Sequence, residues 1–460
     1  MSWEKVKLID LCSVITKGTT PSNIGAAFTK TGINYIRSEM ITASKYISST
    51  GMLYISRETH EKLKRSQLQS GDILFSMAGV YLGKTAILRD EDVPANTNQA
   101  VALIRTIPEK CNREYVYYFL NTPNIIKSVN TITSQSAQPN INLTQIGNIE
   151  IVLPPIETQK KIADILSAYD DLIENNQKQI KLLEEAAQRL YKEWFIDLHF
   201  PGYESTPISG GIPQGWKKQK IGESFLTFLG GTPSREKNEY WENGTISWIN
   251  SGKVNELRVV EPSERITELA LQKSATKLLP KHTTILAITG ATLGQISYTE
   301  IETCANQSVV GIVDKTENYS EYIYCFIKNN IEKIILKATG GAQQHINKEI
   351  VNEYYILIPC DKISRAFKLF ANPIFNKMAN LLNENIALTE VRDRLLPKLM
   401  NGEIEVAMDK KEIEKTDEFE YIRKHWQAVP YDKDLPLAAR STGDISEETL
   451  EKLKEIAEEE

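Results

Sequence analysis

The sequence lacks the residue clusters that are typical of metal-binding and disulfide-stabilised proteins. Its five cysteines are scattered without a C-x-x-C pair, and its five histidines form no metal-ligand motif. No apolar run is long enough to cross a membrane, and the amino terminus is unlike a signal peptide. These absences argue against a disulfide framework and a metal site, and they predict a cytoplasmic protein.

The chain also lacks a strong excess of positive charge. Its net charge is −6 over 460 residues, which argues against a general nucleic-acid binder. The acidic residues are concentrated at the carboxyl end, because residues 405–460 carry 17 acidic and 9 basic side chains, whereas residues 1–404 have a net charge of +2. We predict a nearly neutral body of two or three domains and an acidic tail that is solvated or docks a partner.

What the sequence does contain is an internal repeat. Short motifs from the first part of the chain recur in the same order, at an offset that falls from 213 to 205 residues. The pairs are TPS at 20–22 and 232–234, INYIRS at 33–38 and ISWINS at 246–251, NQ at 98–99 and 306–307, AQPNIN at 137–142 and AQQHIN at 342–347, and IVLP at 151–154 and ILIP at 356–359. This order predicts two copies of one unit of about two hundred residues.

The stretch GDILFSMAGVYLGKT ends like a phosphate-binding loop but has the wrong spacing. Gly79 and Gly83 enclose three residues, whereas a nucleotide loop needs four between its glycines. The second copy, HTTILAITGATLGQI at 282–296, has Gln295 in place of Lys84. A phosphate loop depends on its lysine, so we predict instead a strand that ends in a glycine turn. A variable recognition tip and an ordinary hairpin turn are both open interpretations.

Within each copy, strand-like and helix-like runs are mixed. Strand-like runs lie at 33–38, 72–77, 84–89, 100–106 and 149–154, then at 246–251, 284–289, 295–299, 308–313 and 354–359. Helical periodicity lies at 58–68 and 113–129, then at 266–278 and 320–338. Because strands and helices do not alternate strictly, we predict an α+β fold with two duplicated α/β domains.

Each copy is followed by a long stretch with heptad spacing. The apolar positions of both stretches recur at intervals of three and four, which predicts two helices packed as an antiparallel coiled coil. Asn176 and Asn385 are polar members that we expect to fix the register, and Pro397 should bend or end the second helix. The predicted seam contains Leu166, Tyr169, Ile173, Asn176, Ile180, Leu183 and Leu190 in the first helix, and Ile374, Met378, Leu381, Asn385, Leu388 and Leu395 in the second.

These patterns divide the chain into six segments. The predicted order is a first domain at 1–153, a long helix at 154–199, a linker at 200–215, a second domain at 216–358, a second long helix at 359–404 and the acidic tail at 405–460.

This order of motifs, present twice and separated by long helices, resembles the specificity subunit of type I restriction-modification systems. The resemblance covers about residues 1–404. It implies two target recognition domains, each of which reads one half of a split, asymmetric sequence in double-stranded DNA. The long helices would act as a ruler that sets the gap between the halves. The chain itself would be non-catalytic, with no cofactor of its own.

The resemblance also implies partner subunits. The helices would dock two methyltransferase (modification) subunits, which hold S-adenosylmethionine and methylate adenine, and nuclease-translocase (restriction) subunits, which use ATP and Mg, would join that core. Such complexes defend a cell against foreign DNA.

Candidate DNA-binding residues follow from side-chain chemistry in the repeated loops. Arg and Lys pair with guanine, Asn and Gln pair with adenine, and Ser and Thr mostly bind phosphates. Loop Asn and Gln also cap turns, which is the structural alternative. The candidates are Thr20, Ser22, Arg37, Ser38, Tyr81, Lys84, Gln135, Gln138 and Asn140 in the first domain, and Thr232, Ser234, Asn250, Ser251, Lys253, Thr292, Gln295, Gln343, Gln344 and His345 in the second.

Two alternatives belong to other functional classes. A self-contained DNA methyltransferase or nuclease would need its own active site, and Asn372-Pro373-Ile374-Phe375 resembles the N-P-P-[YF] loop of amino-methyltransferases. Its third residue differs, and it falls at the start of the second predicted coiled coil, so we interpret it as structural. A non-DNA coiled-coil scaffold is the other alternative, and the acidic net charge favours it slightly.

Overall fold

The computed structural model describes residues 3–42, 44–133, 140–337 and 345–406. These residues form two compact units, one containing residues 3–175 and 385–406 and the other containing residues 176–384. Each unit therefore contains one copy of the repeat together with one half of each long helix.

The described residues of the first copy form short strands and four α-helices. Its strands are β1 (Glu4–Lys7), β2 (Cys12–Lys17), β3 (Phe28–Thr29), β4 (Ile33–Ile36), β5 (Leu53–Ile55), β6 (Gln67–Leu68), β7 (Ile73–Ser76), β8 (Thr85–Ile87), β9 (Ala95–Thr97), β10 (Val101–Thr106) and β11 (Glu150–Leu153). Its helices are α1 (Arg57–Lys62), α2 (Arg113–Leu120), α3 (Pro123–Thr133) and α4 (Leu143–Gly147).

Two sheets form the centre of this copy. One has the order β2-β10-β7-β8 with all neighbours antiparallel, and the other has the order β3-β5-β4-β9-β6. Side chains alternate across β7, so Ile73 and Phe75 pack towards α2 and the long helices, whereas Leu74 packs towards the second sheet. A separate antiparallel pair, β1 with β11, leads into the first long helix.

The first long helix, α5, spans Ile156–Phe195 and contains 40 residues. It is followed by a short hairpin of β12 (Ile208–Ser209) and β13 (Ile212–Pro213) in the segment of linker composition. Phe200 and Trp216, on either side of this hairpin, are buried and lie 4.9 Å apart between ring centroids. The segment between helix and second copy is thus anchored by aromatic packing.

The second copy repeats the plan of the first. Its strands are β14 (Lys217–Lys220), β15 (Leu226–Leu229), β16 (Ile246–Ile249), β17 (Arg258–Val259), β18 (Glu264–Ile266), β19 (Thr284–Ala287), β20 (Ile296–Thr299), β21 (Cys304–Ala305), β22 (Val309–Val313) and β23 (Tyr355–Ile358). Its helices are α6 (Ile221–Ser224), α7 (Glu268–Lys273), α8 (Ser320–Ile335) and α9 (Lys348–Asn352).

The sheets of the second copy match those of the first. The order β15-β22-β19-β20 reproduces β2-β10-β7-β8, with β17 added at the edge, and β18-β16-β21 forms the second sheet. The pair β14 with β23 leads into the second long helix, α10 (Asp361–Met400), as β11 leads into α5. The predicted α+β fold with two repeated domains and long helices is confirmed.

The long helices run antiparallel. In the first unit, Leu166 of α5 shares a core with Leu395 of α10, whereas in the second unit Trp194 of α5 contacts Phe367 at a ring distance of 5.8 Å. The start of one helix therefore meets the end of the other. None of the thirteen predicted seam residues is exposed.

Pro397 does not end the second helix, which continues to Met400. The Pro397 carbonyl still accepts a hydrogen bond from the Asn401 N–H at 3.0 Å, so the helical pattern survives the missing proline N–H. Pro373 also lies inside this helix, because the helix begins at Asp361.

Candidate nucleic-acid interface

The glycine turn has the same hydrogen bonds in both copies. Gly79 and Gly83 have φ values of 71° and 80°, and Gly290 and Gly294 have 69° and 85°, which is the left-handed region that favours glycine. In the first copy the Gly83 N–H donates to the Ser76 carbonyl at 2.9 Å, and in the second the Gly294 N–H donates to Ala287 at 2.9 Å. The stretch is a hairpin turn between two strands, as predicted, and not a nucleotide loop.

The side chains of this turn differ between the copies. In the first, Val80 at the tip is 88% exposed and Lys84 Nζ lies 5.0 Å from the centroid of the Tyr81 ring. In the second, Thr292 Oγ1 donates to the Thr289 carbonyl at 3.3 Å, and Gln295 stands where the first copy has its lysine. The same backbone therefore presents a cation in one copy and neutral side chains in the other.

The repeated TPS and NQ motifs meet in space. Thr20 Oγ1 donates to the Gln99 side-chain oxygen, and Thr232 Oγ1 donates to Gln307 Oε1 at 2.5 Å. The glycine two residues before each TPS motif, Gly18 or Gly230, lies close to the backbone of the NQ turn. A Cβ atom on Gly230 would lie 2.1 Å from the Asn306 carbonyl oxygen, which only glycine avoids.

These loops lie together because β2 and β7 end where the neighbouring strand β10 begins. The Met77 N–H donates to the Ala100 carbonyl at 2.8 Å, and the Ile141 N–H donates to the Met77 carbonyl at 3.0 Å. Asn140 forms an isolated bridge with Ala78. The NQ turn, the glycine turn and the return of the chain after α3 are thus neighbours.

The second copy has the same connection. The Ile288 N–H donates to the Ser308 carbonyl at 2.9 Å, and the Ile346 N–H donates to the Ile288 carbonyl at 3.1 Å. His345 is exposed beside this contact. Predicted residues that are far apart in sequence therefore share one loop cluster in each copy. Gln135, Gln138, Gln343 and Gln344 lie outside the described residues.

The remaining candidates follow β4 and β16, whose ends adjoin the NQ turns. Thr97 Oγ1 donates to the Ile36 carbonyl at 2.9 Å, and the Asn306 N–H donates to Ile249 at 3.0 Å. The residues placed here are Arg37 and Ser38 in the first copy, and Asn250, Ser251 and Lys253 in the second.

Several of these side chains already have structural partners. Arg37 lies 2.8 Å from the Glu39 carboxylate, and Ser38 Oγ donates to that carboxylate at 3.2 Å. Asn250 Oδ1 accepts the Lys253 N–H at 3.2 Å, which is a cap of the kind expected for loop asparagines. Lys253 Nζ pairs with Glu256 at 2.8 Å.

Gln99 and Gln307 are two further residues of this site that were not among the predicted ones. Both belong to the repeated NQ motif, so the signal was present, but nothing in the sequence pairs them with the TPS threonines some 80 residues away. Their side chains bond to Thr20 and Thr232, and they are therefore part of the loop cluster.

Buried charges hold each copy on the long helices. In the first unit Arg392 Nη1 lies 2.5 Å from Asp170 Oδ1, and Tyr118 Oη donates to the same carboxylate at 2.5 Å. Burial and the Asp170 charge raise the pKa of Tyr118. Burial lowers the pKa of Arg392, but the neighbouring carboxylate outweighs this effect and raises it overall. Arg392 therefore keeps its charge at neutral pH.

The second unit has a different buried cluster. The Arg258 side chain is fully buried, 3.2 Å from Glu300 and 4.0 Å from the centroid of the Phe375 ring on α10. Glu184 of α5 accepts a hydrogen bond from Lys328 at 2.6 Å and from Tyr324 at 3.1 Å. Burial raises the pKa of Glu300.

The segment Asn372–Phe375 lies wholly within α10. Phe375 is buried and is the ring that Arg258 faces, so this segment has a packing role and is not a loop. Among the described residues, no group of three or more His, Cys, Asp or Glu could hold a metal ion, and no helix is long and apolar enough to cross a membrane.

The chain is a recognition protein built from two copies of one domain. Its two α+β domains are joined to long antiparallel helices and carry matching loop clusters. The family model of the type I restriction modification DNA specificity domain matches the chain twice, at residues 1–185 and 213–392. The chain belongs to this family.

Curated relatives support the assignment. The chain is 29% identical over 419 residues to the type I restriction enzyme MjaIX specificity subunit of Methanocaldococcus jannaschii. This match covers 88% of this chain and 94% of the relative. It is 24% identical over 328 residues to the HindI specificity subunit of Haemophilus influenzae, which covers 58% of this chain and 71% of the relative.

A crystal structure of a type I restriction-modification system S subunit from M. genitalium has a similar fold. Its TM-score is 0.53 at 16% identity, and the match covers 86% of this chain and 96% of that one. The predicted family is confirmed, and neither the self-contained enzyme nor the non-DNA scaffold is supported by these comparisons.

Proposed function

We propose that the chain supplies the sequence specificity of a type I restriction-modification complex by binding a bipartite DNA target. Each copy binds one half-site through its loop cluster. The observation that carries the proposal is the pairing of Thr20 with Gln99 and of Thr232 with Gln307, beside glycine turns with the same backbone hydrogen bonds. One scaffold, present twice with different side chains, suits the recognition of two different half-sites.

The long helices set the gap between the half-sites in this proposal. A helix of 40 residues is about 60 Å long, which exceeds one turn of B-DNA at about 34–36 Å. The polar contacts between each copy and the helices, Tyr118 with Asp170 in the first unit and Lys328 with Glu184 in the second, oppose rotation of a domain on its helices.

Catalysis belongs to partners in this proposal. Two methyltransferase subunits, which bind S-adenosylmethionine, dock on the long helices, and restriction subunits that use ATP and Mg join them. Leu172 and Leu182 of α5 are 46% and 64% exposed, and they offer apolar contacts to the methyltransferase. We assign no catalytic residue to this chain.

The test is the binding of duplexes from a randomised library by the full chain with its methyltransferase subunits. We expect selection of two short sequences separated by a fixed gap, with affinity that falls steeply as salt rises. Lys84→Gln introduces the residue of the second copy, and it should reduce the salt slope by about one phosphate contact. Selection of no sequence, or of one continuous sequence, would contradict the proposal.

A further inference from the structure

Arg235 lies directly after the second TPS motif and stacks on a tryptophan. Its guanidinium carbon is 3.6 Å from the centroid of the Trp241 ring and 5.3 Å from that of Trp248. The Trp241 Nε1–H donates to the Ser234 carbonyl at 3.1 Å, and the Trp248 Nε1–H donates to Gly231 at 3.1 Å. Both rings are thus tied to the backbone of the TPS loop, and they fix the plane of the guanidinium.

An ion pair with a carboxylate further restricts the conformation of the Arg235 side chain. Arg235 Nη1 and Nη2 donate to Glu264 Oε2 and Oε1 at 2.6 and 2.7 Å, while both side chains stay exposed, at 52% and 41%. Hydrogen bonding by Arg235 lowers the pKa of Glu264, so the pair is ionised at neutral pH. In the described part of the chain no other acceptor bonds to this guanidinium. The Nε–H and the second N–H of Nη2, which lie along one edge of the group, therefore remain available as donors.

The position of Arg235 connects it to the candidate interface. Glu264 is paired with Trp248 across β18 and β16, and the preceding Ser263 accepts the Asn250 N–H at 3.2 Å through its Oγ. Arg235 therefore lies between the TPS loop and the loop of Asn250. The first copy has Asn23 after its TPS motif, so this feature belongs to the second copy alone.

We propose that Arg235 reads a guanine in the half-site bound by the second copy. This inference rests on the proposed function and names one residue of its specificity. The carboxylate of Glu264 cancels most of the guanidinium charge, which weakens attraction to a phosphate, whereas the free planar edge still matches the guanine O6 and N7 acceptors. Stacking and ion pairing remove rotamer freedom before DNA arrives, which lowers the entropic cost of binding.

The experiment compares the wild-type chain with R235K in library selection, using the full chain with its methyltransferase subunits. Lysine keeps the charge but loses the planar fork. We expect R235K to lose guanine preference at one position of the second half-site by roughly 10- to 100-fold, with the first half-site and the salt slope unchanged. R265K is the matched control, because Arg265 is exposed next to Glu264 and donates to the Thr245 carbonyl.

A second variant separates base reading from charge. E264Q removes the carboxylate that neutralises the guanidinium charge of Arg235. It should strengthen binding to all duplexes and lower the preference for guanine at the same position. An R235K variant with unchanged guanine preference would overturn the inference. So would an R235Q variant that weakens all sequences equally with a salt slope lower by about one, since that is a phosphate contact. If the wild-type chain selects no split sequence, the proposed function fails as well, and the two failures are distinguishable.

Discussion

Arg392 Nη1 lies 2.5 Å from Asp170 Oδ1, although 222 residues separate the two side chains in the sequence. Asp170 belongs to α5 and Arg392 to α10, and Tyr118 of the first domain donates to the same carboxylate. One ion pair therefore joins both long helices and a recognition domain. Arg392 lies four residues after Leu388 and three before Leu395, so it falls in the heptad spacing of the seam. The structure tolerates an arginine there because Asp170 and Asp393 neutralise its charge.

Removal of Arg392 should destabilise the first unit. In Arg392→Met, Asp170 remains buried without its cation, which should cost about 3 kcal/mol. Asp170→Asn should cost less, because Arg392 is partly exposed and keeps Asp393 at 2.8 Å. The measurement is the thermal unfolding midpoint, with Lys5→Met as control, since its pair with Glu150 is exposed and should contribute below about 0.5 kcal/mol. Equal effects of Arg392→Met and Lys5→Met would contradict this prediction.

Glu321 should make the second unit less stable as the pH rises. Its side chain is buried and one carboxylate oxygen has no hydrogen-bond partner, and burial raises its pKa from 4.5 to about 7. Lys368 and Arg258 act against this shift, whereas Asp314 adds to it. The stabilising contribution is therefore complete below about pH 4.5 and is lost as the pH rises through 7.

A neutral replacement should remove this pH dependence. Glu321→Gln should raise the unfolding midpoint at pH 8, by an amount that corresponds to roughly 3 kcal/mol, and should change little at pH 4.5. Glu332→Gln, on the exposed part of the same helix, is the control. A midpoint that is lower than that of the wild type at pH 8 would show that the ionised carboxylate is stabilising in its site.

Substitution of the glycine before each TPS motif should affect only the half-site bound by the same copy. A Cβ atom on Gly18 would lie 1.8 Å from the Thr97 carbonyl oxygen, and one on Gly230 would lie 2.1 Å from that of Asn306. Both contacts are with backbone, so alanine should push the TPS loop away from its NQ turn. We expect Gly18→Ala to weaken selection of one half-site and Gly230→Ala the other, by about 10-fold or more, each serving as the control for the other. Loss of both half-sites in either variant would indicate a general folding defect.

The sequence predicted the elements with strong periodicity. The ten strand-like runs each contain a strand, and heptad spacing located both long helices, because apolar patterns depend on local geometry. The repeat also placed the glycine turns correctly. Two-residue strands such as β3 and β17 were not predicted, since so short a run carries no period.

The candidate site was predicted in outline only. The TPS and NQ motifs were recognised as repeats, but their contact depends on the end of β2 lying beside the start of β10, which no local pattern encodes. The stacking of Arg235 on Trp241 and its pairing with Glu264 join segments 6 and 29 residues apart. Pro397 was expected to bend or end α10, and the second alternative was wrong, because the helix runs on to Met400 with Leu395, Leu396 and Leu399 packed in the core of the first unit.

A chain that gives a methyltransferase its DNA sequence specificity should determine which adenines are methylated in the cell. Single-molecule sequencing of N6-methyladenine, in cells with and without the gene, measures this directly. We expect one split motif, with a methylated adenine in each half, to be present with the gene and absent without it. An identical set of methylated motifs in both strains would contradict a specificity role for this chain.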